Sequence, residues 1–128
     1  TCDIVVSNLK FLKKEKDIYY NFIKECVSSN DNWRIRFGLV TLLGYYLEEN
    51  YIDEIFYLCT NITNREYYVK MAQAWLISIM FIKFREKTLD YLKENTLDNW
   101  IQNKTIQKIR ESIRVSKEDK DLVLTFKR

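Results

Sequence analysis

Apolar residues recur along the chain at intervals of three and four, the spacing that gathers side chains on one face of an α-helix. Ile4, Leu9 and Leu12 open the pattern, and Tyr19, Phe22, Ile23 and Cys26 continue it. Asp31 stands where it can cap a helix running through Trp33, Phe37, Val40 and Leu47. Tyr51 to Cys59 forms a short amphipathic stretch, and Asn64 can cap a long helix from Arg65 to about Phe84. From Ala72 to Ile82 that helix is apolar all round except for Gln73 and Ser78, which predicts burial between neighbours. Glu86 to Lys93 and a basic amphipathic segment from Lys104 to Arg114 follow. Ser116 with Asp119 then forms a capping box that starts a last helix through Leu122, Leu124 and Phe126.

These segments come in pairs, and the pairs resemble one another. Trp33-Arg34-Ile35-Arg36-Phe37 aligns with Tyr68-Val69-Lys70-Met71-Ala72, 35 positions on, and Ile101-Gln102-Asn103-Lys104-Thr105 follows 33 further on. A repeat of this length with two helices per unit predicts an all-α fold, an α-solenoid of HEAT-like antiparallel helix pairs. An irregular helical bundle is the alternative. The tetratricopeptide and ankyrin signatures are both absent. Arg36 and Lys104 fall in equivalent slots and Lys70 one residue from its own, so a concave face would carry a ladder of cations suited to a phosphodiester backbone.

Composition narrows the chemistry. The 128 residues suffice for one ordinary domain, expected over 1–128. No proline and two glycines leave strand-and-turn architectures hard to build. No histidine means no Ser-His-Asp or Cys-His nucleophile and no imidazole metal site, and two glycines make no phosphate-cradling loop. We therefore expect neither a metal nor another cofactor. The longest apolar stretches, Phe37 to Leu47 and Ala74 to Ile82, fall short of the roughly 20 residues a bilayer requires. Cys2, Cys26 and Cys59 are odd in number, widely spaced and set among apolar residues, which predicts reduced, buried thiols and a cytoplasmic location. Net charge is +3, and the surplus lies in residues 96–128, where Lys104, Lys108, Arg110 and Arg114 sit at helical spacing. Such a face can hold phosphates, though on charge alone a solvated helix surface is the favoured reading.

Three runs carry a resemblance: Asn32-Trp33-Arg34-Ile35-Arg36-Phe37, Glu66 through Trp75, and Asn103 through Ser112. Together they make the chain resemble the DNA alkylation repair family, the HEAT-like, AlkD-type bacterial DNA glycosylases. The likeness covers nearly the whole chain and is that of the C-terminal half to two-thirds of such a protein. Because the chain opens on Thr1 within a helical pattern, the expectation is a piece truncated at its N-terminus, starting inside the family's central repeat.

The resemblance implies roles for individual residues. The family's catalytic aspartate follows a tryptophan near the start of a central helix, and Thr1-Cys2-Asp3 matches the end of that motif. Its active-site arginine lies three positions after a tryptophan, matching Trp33 and Arg36, and a later tryptophan matches Trp75. Where some members carry an arginine three residues beyond that tryptophan, this chain has Ser78. The implied reaction is hydrolysis of the N-glycosidic bond of an N3- or N7-alkylated purine in double-stranded DNA, without base flipping. An alkylated purine is already cationic and leaves without a general acid, which suits a chain lacking histidine. Asp3 would stabilise the oxocarbenium-like sugar and position water, Trp75 would face the charged nucleotide, and Arg36, with Lys70 and Lys104, would hold backbone phosphates. Each has a plainer role: Asp3 as a helix cap, Arg36 as the ion-pair partner of Asp31 or Asp53, Trp75 as core. Trp33 and Trp100 are assigned to packing. The competing function is a non-catalytic HEAT-like scaffold that binds nucleic acid or protein.

Overall fold

A computed structural model describes residues 16–128, in which seven helices follow one another with no strand among the described residues. They are α1 (Lys16–Val27), α2 (Asn32–Tyr45), α3 (Glu49–Thr60), α4 (Tyr67–Lys83), α5 (Arg85–Lys93), α6 (Asn99–Glu111) and α7 (Lys117–Leu124). The expected opening of the first helix at Ile4, Leu9 and Leu12, together with Cys2 and Asp3, lies outside the described residues.

Side-chain caps mark the starts of α2, α4, α6 and α7, whereas α3 and α5 begin without one. Asp31 is extended (φ −85°, ψ 123°) and its carboxylate accepts from the Arg34 N–H at 2.9 Å, as its position predicted. Asn64 does not cap α4 directly. It accepts from the Glu66 N–H at 2.8 Å, and Glu66 in turn accepts from the Val69 N–H at 3.0 Å, so the helix begins two residues later than expected. Asp98 accepts from the Trp100 N–H at 3.3 Å, starting α6 at Asn99, five residues before Lys104. Ser116 accepts from the Asp119 N–H, but the capping box is half made, because the Asp119 carboxylate is held by Arg85.

A regularity emerges from these starts. The long helices α2, α4 and α6 begin at Asn32, Tyr67 and Asn99, spaced by 35 and 32 residues, each after an acidic residue and each with an aromatic second: Trp33, Tyr68, Trp100. The shorter α3, α5 and α7 begin at Glu49, Arg85 and Lys117, spaced by 36 and 32. Helix starts thus put Trp100, rather than Ile101, opposite Trp33 and Tyr68.

The fold divides into two compact units, whose described parts are 16–72 and 73–128, with the division inside α4. In the first, α1 packs along α2, and the core includes Ile23, Ile35, Leu39, Leu42, Ile52 and Ile55. On α1 the inward aromatic is Tyr20, whereas Phe22, expected on the apolar face, is exposed. The Tyr20, Tyr46 and Tyr51 rings cluster with centroids 4.6–5.3 Å apart. The Tyr20 hydroxyl donates to Glu54 at 2.7 Å and that of Tyr51 to Asp17. The hydrogen bond to Asp17 and partial burial push the Tyr51 phenol up to about 12.

Gly38 sits where α2 approaches the end of α1. A Cβ there would lie 2.7 Å from Val27 Cγ2, 3.1 Å from the Val27 nitrogen and 3.2 Å from Cys26 Cβ. Alanine gains roughly 1 kcal/mol of helix propensity over glycine, but overpacking costs about 1–3 kcal/mol, and neither a β-branched valine nor a backbone nitrogen yields readily. Gly38→Ala is expected to lower the unfolding free energy by up to about 2 kcal/mol, read as a shifted denaturant midpoint at constant slope. A gain in stability would mean the two helices do not meet there.

In the second unit the core is built from Phe81, Leu89, Leu92, Ile106, Ile109, Val115 and Val123, with Ile82 and Phe126 at its margin. Buried Gln102 ties this core to the chain around it. Its amide donates to the Leu92 and Phe126 carbonyls at 2.9 and 3.2 Å and accepts from Asn95 at 3.0 Å. Arg85 grips Asp119 through two bonds of 2.8 and 2.9 Å, joining the starts of α5 and α7, and holds that carboxyl below the usual carboxylate range.

Candidate nucleic-acid interface

Arg36 lies on the first turns of α2, and its guanidinium sits over the Tyr68 ring, 5.3 Å from the centroid. It makes no ion pair with a described residue. Asp31, one partner considered for it, is committed to capping α2. A planar cation resting on a ring keeps its N–H edges available to an incoming oxyanion. Tyr68 is itself exposed, with the Tyr67 ring edge-on to it at 5.2 Å. Trp33 is not packed away as expected. It is 48 % exposed and lies nearly flat on Phe37, with centroids 5.3 Å apart and planes at 12°. The beginnings of α2 and α4 are joined by a hydrogen bond from Asn64 to Asn32 at 2.7 Å. Lys70 is half-buried in the first turn of α4.

In the second unit, the long apolar run of α4 departs from its expected pattern in an informative way. The polar pair Gln73 and Ser78 is buried, and the less buried stripe is apolar: Trp75, Ile79 and Ile82, at spacings of four and three. This stripe lines a groove of about 220 Å³ whose opposite side is Lys108, Glu111 and Ser112 of and just after α6. Trp75 is therefore a groove residue rather than plain core. The Ser78 hydroxyl donates to the Trp75 carbonyl at 2.7 Å, so it turns onto its own helix.

Lys104 belongs to a different groove, of about 480 Å³, with Trp100, Gln107, Arg110, Leu124 and Lys127. Its ammonium donates to Gln107 at 3.0 Å and lies 5.6 Å from the centre of the Trp100 ring. Trp100, assigned to packing, is half-buried and forms a wall of this groove. Lys104, Arg110 and Lys127 outnumber the single acid Glu111, making the groove cationic.

Of the residues expected to act, Arg36 and Lys70 thus belong to the first unit. Trp75 and Lys104 belong to the second, in separate grooves, and Asp3 lies outside the described residues. The sequence reading missed Tyr68 as the support of Arg36 and Lys108, Glu111 and Ser112 as the far wall of the Trp75 groove. Both were signalled: Tyr68 aligns with Trp33 in the repeat, and 108, 111 and 112 share a helix face. Among the described residues no group of three or more metal-ligating side chains comes together, and no helix is long and apolar enough to cross a membrane. The protein is all-helical, with aromatic and cationic side chains paired at two of its long helices. No family model, curated protein or solved structure matches it.

Proposed function

We propose that this chain is a HEAT-like repeat protein of the DNA alkylation repair kind, which binds alkylated duplex DNA in the cytoplasm and hydrolyses the N-glycosidic bond of N3- or N7-alkylated purines. The observation that carries the reading is Arg36: a guanidinium seated on an aromatic ring, with no carboxylate partner among the described residues, ready for a phosphate. The near-periodic long-then-short helices, each long one opening on an acid and an aromatic, support stacked helix pairs. Lys70 and Lys104 would extend the phosphate contacts, and the half-buried Trp75 indole would offer its electron-rich face to the cationic nucleotide. Hydrolysis would come from Asp3, by resemblance. Water adds to C1′ as the bond to the purine nitrogen breaks, the bonding pair neutralises the departing base, and the carboxylate takes the proton of the attacking water.

The test is binding and base release by the full chain on methylated duplex DNA. Arg36→Ala is expected to weaken binding about tenfold, in line with one lost charge-assisted contact, and to reduce the slope of log affinity against log salt by about 1. Unchanged affinity and slope would remove Arg36 from the interface. Tight, salt-dependent binding with no base released would leave a non-catalytic DNA scaffold.

A further inference from the structure

We infer that the edge formed by Trp33, Phe37, Arg36 and Tyr68 is a stacking platform for an unpaired nucleotide, taking a base on its aromatic surface and the adjoining phosphate on Arg36. The inference rests on the phosphate-holding reading of Arg36 and adds an unpaired strand to the duplex whose phosphates that guanidinium would hold. Three observations converge on it. Trp33 and Tyr68 stay 48 % and 58 % exposed, although both are among the large side chains that cores usually absorb. Trp33 lies flat on buried Phe37 rather than edge-on, so one indole face is backed by the core and the exposed part of the ring is a flat surface of the kind a base stacks on. Arg36, one turn from Trp33 on the same helix, carries the charge that an unpaired base brings with its phosphate, and no acidic side chain among the described residues neutralises it.

A fully paired duplex supplies the phosphate but keeps its bases inside the stack, where these rings have nothing to meet. An acidic protein segment would satisfy Arg36 and leave the flat, exposed indole of Trp33 without a partner of matching shape. A single strand satisfies both. Each base stacked on an aromatic side chain is worth about tenfold in affinity.

The experiment measures fluorescence anisotropy of a labelled thymidine oligonucleotide and of a labelled duplex of equal length. It compares the unaltered chain with Trp33→Phe, Trp33→Ala and Arg36→Ala. Trp33→Ala is expected to weaken single-strand binding about tenfold while leaving duplex binding within about twofold. Trp33→Phe, which keeps a ring on Phe37, is expected to retain most of the affinity. Far-ultraviolet circular dichroism and melting temperature control for folding. If Trp33→Ala weakens both DNA forms equally, or neither, the platform is overturned. If Trp33→Ala changes self-association in sedimentation and not DNA affinity, the edge is a contact between copies and the platform is likewise overturned. Duplex binding that depends on Arg36 with no Trp33 effect on single strands defeats this inference alone. No effect of Arg36→Ala on either DNA defeats the proposed function with it.

Discussion

Ile109→Ala is expected to lower the unfolding free energy by about 2–5 kcal/mol and the melting temperature by about 10 °C or more. Ile109 is fully buried in the core of the second unit, among Phe81, Leu89, Leu92, Ile106, Val115 and Val123. Those neighbours come from α4, α5, α6, α7 and the segment before α7, so no single element can move to fill the space. The loss is therefore the transfer term plus a cavity that relaxes only in part. Ile113→Ala provides the contrast, since the same atoms are deleted from a residue 99 % exposed. That change is expected to stay within about 0.5 kcal/mol. Equal effects at the two sites, measured by denaturant melts on the full chain, would show that the core has been drawn in the wrong place.

The second large effect concerns the proposed chemistry. Asp3→Asn keeps the size of the side chain and removes its charge, so it tests electrostatic stabilisation with little change of shape. Removing one preorganised group that stabilises transition-state charge typically costs about 10²–10³ in rate. Release of methylated purines is accordingly expected to fall about 100-fold or more, with DNA affinity and helical content unchanged. Asparagine can neither balance the developing oxocarbenium charge nor accept the proton of the attacking water. Because the alkylated base leaves without protonation, no second acid is available to mask the loss. Release at an undiminished rate would take Asp3 out of the mechanism, and a parallel loss of helix content would mean that it caps a helix.

Part of the helical order was legible because some helix starts carry a side-chain cap, though α3 and α5 carry none. Asp31 and Ser116 each satisfy orphan N–H groups and were read from spacing, whereas Asp98 does the same for α6 and went unread, so that helix was expected five residues too late. Helix ends and inward faces were less legible. Ile106, Ile109 and Ile113 share one helical stripe by spacing, yet α6 stops at Glu111 and leaves Ile113 in water. Asp119 reads as the return half of a capping box, but a guanidinium 34 residues away competes for it and wins with two charge-assisted bonds. On α4 the polar Gln73 and Ser78 turn inward while Trp75 faces a groove, because an all-apolar segment gives periodicity nothing to choose between. Of the candidate site, the resemblance singled out Arg36 three positions after Trp33, whereas its seat on Tyr68 depends on a contact between residues 32 positions apart.

Burial of the two described cysteines has a chemical consequence. Cys26 and Cys59 are thiols outside any disulfide, with 1 % and no exposure, and burial pushes the Cys59 thiol up to about 12. A protonated, enclosed sulfur is a poor target for electrophiles, since the thiolate is the attacking species. Methylating agents in the surroundings would therefore spend themselves elsewhere, and iodoacetamide would reach these sulfurs only when the helices around them part. The rate of that labelling in native buffer is a clock for local opening.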